Sequence, residues 1–127
     1  MKRRVLVVDD NVGIRQLVAA TLDLVPELFE IVEAADGAAA LAVLGERDVH
    51  AIVLDCHMAP VDGAAFADAY HTRRGPHAPI VAMSAVPSLA AFAARVGADA
   101  MLSKPFSPAV LLDILHRLPL STSLARN

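Results

Sequence analysis

Several polar side chains of this 127-residue chain stand at the ends of short apolar runs. Asp9 and Asp10 follow the first run, Asp55 ends a central one, and Ser84 and Lys104 follow two later runs. Carboxylates, a hydroxyl and an ammonium group together suit phosphoryl transfer, in which positioning and charge neutralisation supply most of the catalysis. Taken singly, these residue types are typical of helix caps and turns. Their repeated position after apolar runs favours a shared chemical role.

Three carboxylates that are brought together repel one another, and the crowding raises the pKa of at least one of them. A hard divalent cation relieves this repulsion. Mg²⁺ is typically held by one or two carboxylates together with a phosphate. The compact charge of Lys104 suits a phosphate oxygen, and Ser84 adds a hydroxyl donor. Asp55 would then be the nucleophile and would form an aspartyl-phosphate.

Short, branched apolar runs predict five β-strands. The run Ala51–Asp55 is typical of a strand that is buried on both faces, as in the centre of a parallel sheet. Phe29–Ala34 mixes apolar and acidic residues, as an edge strand does. The remaining strands are predicted at Val5–Val8, Pro79–Met83 and Ala100–Leu102.

Apolar residues recur at helical spacing after each strand and predict five helices. Asp10 or Asn11 can cap the first helix, the third is expected to run to Gly75, and Ser107 followed by Pro108 starts the last. The residues with this spacing are Ile14, Leu17, Val18, Leu22, Val25, Ala40, Leu41, Leu44, Phe66, Tyr70, Leu89, Phe92, Ala93, Val96, Leu111, Ile114, Leu115 and Leu118.

Strands that alternate with helices, strand first, predict an α/β protein with a parallel sheet and helices on both of its faces. Five such units favour the flavodoxin-like (βα)5 three-layer sandwich with strand order 2-1-3-4-5. In that order the polar strand ends lie on neighbouring strands, about 4.8 Å apart. We expect one domain over residues 1–119 and a flexible tail over residues 120–127.

The composition argues against several other classes of protein. A hydrophobic fraction of 56% predicts a folded chain, and no apolar run approaches the roughly 20 residues of a membrane span. The net charge of −3 argues against direct nucleic-acid binding, which requires a concentrated basic face. The first apolar run is too short for the core of a signal peptide, which predicts a cytoplasmic protein. The single cysteine, Cys56, allows no internal disulfide.

The chain resembles the receiver domain of two-component response regulators. The resemblance extends from about residue 3 to residue 118 and includes four separated motifs in the same order. These motifs are Val7-Val-Asp-Asp10, Asp55 with Met58, Pro60 and Asp62-Gly63 after it, Ala82-Met-Ser-Ala85, and Gly97-Ala-Asp-Ala-Met-Leu-Ser-Lys-Pro-Phe106.

This resemblance implies a role for each residue of the site. Asp55 would accept a phosphoryl group from a histidine of a sensor kinase or of a phosphotransfer protein. Asp10, Asp55 and the backbone carbonyl of His57 would ligate Mg²⁺, with Asp9 acting mostly through a bound water. Lys104 would pair with the phosphoryl oxygens.

The resemblance also implies a conformational switch. Ser84 would move to hydrogen-bond the phosphoryl group and so report its presence. The family usually carries Tyr or Phe three positions before the lysine, a ring that turns inward when the serine or threonine moves. Here Met101 stands at that position, and methionine is flexible. We therefore expect a softer coupling or one that runs through another side chain. The Lys104–Pro105 bond is expected to be cis.

His57 stands two residues after the phospho-acceptor, where side chains border the path of hydrolytic water. One interpretation is an exposed loop histidine. The other is that His57 tunes dephosphorylation, with a pH dependence near its unperturbed pKa of about 6.5. Cys56 is most simply a small buried residue.

The resemblance implies a phosphorylation-dependent signalling switch that is an enzyme only in catalysing its own phosphorylation and dephosphorylation. Receivers usually meet their partners through the helix predicted at Ser88–Val96, the last strand and the last helix. An alanine-rich surface there would suit a homodimer or a partner helix. The alternative is that the large residues of the helix simply face the core.

Three other functions fit parts of the pattern. A Mg²⁺-dependent phosphohydrolase also uses a nucleophilic aspartate, but it needs a second aspartate two residues later, where this chain has His57. A flavodoxin-like binding module needs a phosphate-binding loop where Asp9 and Asp10 would repel the phosphate. A third alternative is a receiver that binds partners without phosphorylation. Such a receiver would not need the intact set of Asp10, Asp55, Ser84 and Lys104.

Overall fold

The computed structural model describes residues 2–58, 61–85 and 87–118. The predicted tail over residues 120–127 and the loop residue Pro60 lie outside these ranges. Strands and helices alternate in the order β1 (Arg3–Val8), α1 (Val12–Leu22), β2 (Phe29–Ala34), α2 (Gly37–Glu46), β3 (Ala51–Asp55), α3 (Gly63–His71), β4 (Ile80–Ala85), α4 (Ser88–Val96), β5 (Ala100–Lys104) and α5 (Pro108–Arg117).

The five strands form one parallel sheet in the order β2-β1-β3-β4-β5. This order confirms the predicted flavodoxin-like fold. β3 lies at the centre, and every one of its residues is buried. Because all strands are parallel, their carboxyl ends lie along one edge, which is where such sheets place their ligand sites.

Two apolar clusters cover the two faces of the sheet. Alternate residues of β1 point to opposite sides, so that Leu6 and Val8 enter one cluster and Val5 and Val7 enter the other. Helices α2, α3 and α4 contribute to the first cluster, and α1 and α5 contribute to the second. Fully burying a side chain of this size stabilises the fold by about 1.5–3 kcal/mol, so the two clusters hold the strand ends in place.

Two sequence predictions differ from the structure in detail, and one residue with helical spacing is more exposed than its neighbours. Helix α3 ends at His71 and not at Gly75, because the chain turns back after Tyr70, where the N–H of Arg73 donates to the Tyr70 carbonyl at 3.1 Å. Leu17 shares the helical spacing of the buried residues but is 37% exposed on α1. Strands β4 and β5 run further than predicted, so that Ser84 and Lys104 belong to the strands themselves.

Helix caps fix the starts of the helices near the carboxyl edge. The side chain of Asn11 accepts from the N–H of Ile14 at the start of α1, and that of Asp62 accepts from the N–H of Ala65 at the start of α3. Such a cap contributes about 1 kcal/mol. Gly63 follows directly and allows α3 to approach the end of β3, because a Cβ there would overlap the carbonyl oxygen of Asp55.

Candidate functional site

Asp55 lies at the carboxyl end of β3 and is only 6% exposed. Its charged neighbour is Lys104, at the end of β5. The Lys104 ammonium donates to Oδ1 of Asp55 at 2.7 Å and to Oδ2 of Asp9 at 2.9 Å. Lysine is a compact cation with three donors, and here it bonds to residues at the ends of β3 and β1, which lie two and three strands away from β5 in the sheet.

Asp9 and Asp10 differ sharply in exposure. Asp9 is completely buried, and its Oδ1 accepts from the N–H of Asn11 at 2.9 Å, whereas Asp10 is exposed. Each carboxylate offers an oxygen, and together with one from Asp55 these oxygens lie within 4.8 Å of one another. Three close carboxylate oxygens that are partly open to solvent fit a hard cation such as Mg²⁺.

Burial is the main electrostatic influence on the nucleophile. It raises the pKa of the Asp55 carboxyl above its ordinary value of 3.8, and the charge of Asp9 adds to the rise, while the hydrogen bond from Lys104 opposes it. Burial also disfavours the charged form of Lys104, but the bonds to Asp55 and Asp9 outweigh this effect and raise the pKa of the ammonium. Carboxylate crowding, the cause expected from the sequence, is therefore secondary to burial at Asp55.

An open cavity of about 330 Å³ lies over these groups. The structure brings all of the predicted pocket residues to this one cavity, including Ser84 and His57. Asn11 and Ser88 also line it, although the sequence suggested only helix-starting roles for them. The lining residues are Asp9, Asp10, Asn11, Asp55, His57, Ser84, Ala85, Ser88 and Lys104.

His57 is exposed at the cavity, whereas Cys56 is half-buried beside it. Burial, followed by the charges of Asp55 and Asp62, raises the pKa of the Cys56 thiol, so that it is a poor nucleophile. The roles of the His57 carbonyl as a metal ligand and of the His57 ring in dephosphorylation stay predictions. Equal lifetimes of phosphorylated Asp55 in the wild type and in His57→Ala would remove the second of these roles.

Met101 lies on β5 and is 54% exposed, and it is not among the described residues that line the cavity. Its place in the strand still connects it to the site, because Lys104 ends the same strand. The bond that follows, Lys104–Pro105, is cis. The part of Met101 in a conformational switch stays a prediction.

The sheet order and the acidic site beside a lysine together define a receiver domain of two-component response regulators. The chain belongs to the response regulator receiver domain family, whose model matches residues 5–116. Receivers of this family interact with histidine kinases or phosphotransfer proteins and serve in signal transduction.

Solved receivers share the fold over nearly their whole length. The chemotaxis response regulator CheY4 of Vibrio cholerae is 32% identical, with a TM-score of 0.80, over 92% of this chain and 98% of that one. The receiver domain of NtrX from Brucella abortus is also 32% identical, with a TM-score of 0.78, over 89% of this chain and 95% of that one.

Curated relatives are longer than this chain. The response regulator protein FleR of Pseudomonas aeruginosa is 34% identical over 92% of this chain, which spans 24% of FleR. The probable transcriptional regulator ycf27 of Cyanophora paradoxa is 33% identical over 84% of this chain, which spans 44% of that protein. Within the described ranges, no helix is both long enough and apolar enough to cross a bilayer.

Proposed function

We propose that this receiver accepts a phosphoryl group on Asp55 from a phosphohistidine of a sensor kinase or of a phosphotransfer protein. The observation that carries the proposal is the environment of one carboxylate. Asp55 is buried at a strand end, bonded to the Lys104 ammonium at 2.7 Å, and close to the carboxylates of Asp9 and Asp10.

The transfer requires few groups from the protein. A carboxylate oxygen of Asp55 attacks the phosphorus, a P–O bond forms, and the P–N bond to the donor histidine breaks. The electron pair of that bond stays on the imidazole nitrogen, which takes up a proton. Lys104 stands where it can neutralise an oxygen of the transferred group. Its existing bond to Asp55 positions the ammonium before the reaction begins.

Asp9, Asp10 and Asp55 would hold Mg²⁺, since their oxygens lie within 4.8 Å of one another. A bound Mg²⁺ neutralises charge on the carboxylates and on the phosphoryl oxygens. Asp9 already accepts from Asn11 and Lys104, which fits the expected indirect role through water. Asp10 is exposed and has room for direct ligation.

The phosphoryl group would act as a signal through Ser84, which is buried and lines the cavity. Ser84 lies on β4 opposite Ser103 of β5, one residue from Lys104. A movement of Ser84 toward the phosphoryl group would reach the outer face of β5, where Met101 is exposed. This face, together with α4 and α5, is the proposed surface for a homodimer or for a downstream partner. The cytoplasmic location remains a prediction.

Treatment with acetyl phosphate and Mg²⁺, followed by intact mass measurement, tests the central claim. The wild type should gain one phosphoryl group, because Asp55 lies at the end of the central strand and its carboxylate accepts from the Lys104 ammonium at 2.7 Å. Asp55→Ala is the matched control and should gain none. An unmodified wild type, or equal modification of Asp55→Ala, would contradict the proposal.

A further inference from the structure

We propose that Arg15 is a positioning residue for the metal-binding carboxylates: its guanidinium fixes the backbone between Asp9 and Asp10. The inference rests on the proposed function, because it concerns the affinity of the same site for Mg²⁺. Arg15 lies on α1, outside the motifs that carry the family resemblance, and it does not line the cavity.

The guanidinium of Arg15 bridges two strands. Its Nη1 donates to the backbone carbonyl of Asp9 at 2.7 Å, and its Nε donates to Oε1 of Glu33 on β2 at 3.0 Å. The Arg15 side chain is 17% exposed, so most of the group is withdrawn from water. A planar guanidinium with donors in fixed directions holds two acceptors at once, which an ammonium cannot do in the same geometry.

The Asp9 carbonyl that accepts from Arg15 lies next to the carboxylates of the proposed metal site. It belongs to the peptide that joins Asp9 to Asp10, and the described pairing of β1 with β2 and β3 ends at Val8. Beyond that point the N–H of Asp9 donates to the carbonyl of Ala34 at 3.1 Å. Arg15 supplies the donor on the carbonyl side of the same residue, so it fixes the direction in which the chain leaves toward Asp10.

A positioning role and a purely electrostatic role of Arg15 predict opposite effects of its removal on the affinity for Mg²⁺. Arg15 places a positive charge near three carboxylates, and Coulomb repulsion alone would make this charge weaken cation binding. The ion pair with Glu33 offsets part of the charge. If Arg15 acted only by its charge, its removal would tighten Mg²⁺ binding. If Arg15 positions the carboxylates, its removal weakens binding even though a repelling charge has gone.

Isothermal titration of the purified chain with Mg²⁺ measures the effect directly. We expect Arg15→Met to raise the Kd by about tenfold or more, the range seen when groups that orient metal ligands are removed. The double variant Arg15→Met/Glu33→Gln has the wild-type net charge and should bind as weakly as Arg15→Met. The control is Arg95→Met, which removes an exposed arginine–carboxylate pair with Asp68 and should leave the Kd unchanged.

A second measurement is independent of the metal. In the absence of Mg²⁺, amide hydrogen exchange at Asp9 and Asn11 should be several-fold faster in Arg15→Met than in the wild type, because both N–H bonds belong to the segment that Arg15 holds. Exchange in the core of β3 should be the same in both proteins, which also establishes that the variant is folded.

Unchanged or tighter Mg²⁺ binding by Arg15→Met, or recovery of the wild-type Kd in the double variant, would overturn the positioning role. A wild type that neither binds Mg²⁺ nor becomes phosphorylated would overturn the proposed function instead. In that event the metal-free exchange at Asp9 and Asn11 still decides the role of Arg15, since unaltered exchange would contradict it.

Discussion

Asp55 owes its chemical character to two opposed influences on one carboxylate. Burial at the strand end favours its protonated form, and the Lys104 ammonium at 2.7 Å favours its ionised form. A nucleophile for phosphoryl transfer must be ionised yet poorly solvated. Lys104 supplies the first condition and the surrounding strand ends supply the second.

A second residue, His50, is buried far from this chemistry, just before β3. Its Nδ1 accepts from the backbone N–H of Arg4 at 2.8 Å, so Nε2 carries the proton of the neutral ring. Nε2 has no hydrogen-bond partner within the described part of the chain. Burial, followed by the positive charges of Arg4 and Arg3, lowers the pKa of His50 below its ordinary value of 6.5.

This environment predicts a loss of stability in mild acid. The unfolded chain binds the proton more readily than the folded chain, so the contribution of His50 is complete above pH 6.5 and falls as the pH drops toward the folded pKa. Urea unfolding between pH 7.5 and pH 5.5 should show a smaller decline for His50→Asn, whose amide oxygen can accept from Arg4, than for the wild type.

The exposed His57 provides the control for this measurement, because His57→Asn should retain the wild-type decline. Identical declines in the wild type and His50→Asn would contradict the assignment to His50.

At the level of elements, the start of α3 is the most constrained junction near the site. Gly63 lies where the helix approaches both the end of β3 and the ring of Phe92 on α4. A Cβ at this position would lie 2.8 Å from the Phe92 ring and would overlap the Asp55 carbonyl. The start of α3 therefore packs directly against the segment that carries the nucleophile, and α4 packs against α3 at the same point.

Gly63→Ala should destabilise the fold by about 1–3 kcal/mol, because the added methyl group overpacks this junction. Gly45 in α2 is the matched control, since a Cβ there meets nothing within 4 Å. Gly45→Ala should stabilise the protein by about 0.5–1 kcal/mol through the lower backbone entropy of the unfolded chain. Urea unfolding of both variants tests the pair, and equal effects would argue against a close junction at Gly63.

At the scale of the whole molecule, the two edges of the sheet differ in what they expose. β5 and α5 present Met101, 54% exposed, and Val110, 50% exposed, on the side that carries Lys104. Leu24 is also exposed, but it follows α1 near β2 at the opposite edge of the sheet. Of these two surfaces, only the one formed by β5 and α5 shares a strand with the site, because Met101 and Lys104 both lie on β5. This connection favours it as the surface that responds to phosphorylation.

Analytical ultracentrifugation with Mg²⁺ and beryllofluoride, a phosphoryl mimic, tests this proposed surface. We expect the mimic to promote dimers of the wild type and Met101→Glu to weaken them by about tenfold, since a buried charge is costly at an interface. Leu24→Glu should dimerise as the wild type does. Weaker dimerisation of Leu24→Glu, or unchanged dimerisation of Met101→Glu, would contradict an interface at this surface.

The sequence by itself determined that the strands are parallel and which residues lie at the chemically active edge of the sheet, and it favoured the strand order. Alternating apolar runs and helical spacing require parallel strands, and parallel strands bring Asp9, Asp55 and Lys104 to one edge whatever the packing details. The same periodicity misplaced the end of α3 and gave no information on the exposure of Leu17. A repeating pattern does not say where a turn at Tyr70 interrupts it, or which part of a helix the sheet covers.

Only the tertiary structure decided how the residues at that edge differ in burial and in their contacts. Asp9 and Asp10 are adjacent and identical in type, yet one is buried under Lys104 and the other is exposed. The bond from Arg15 to the Asp9 carbonyl joins a helix to a strand end and leaves no local pattern in the chain. Burial and contacts of this kind depend on how distant segments pack, and short-range spacing carries no information about them.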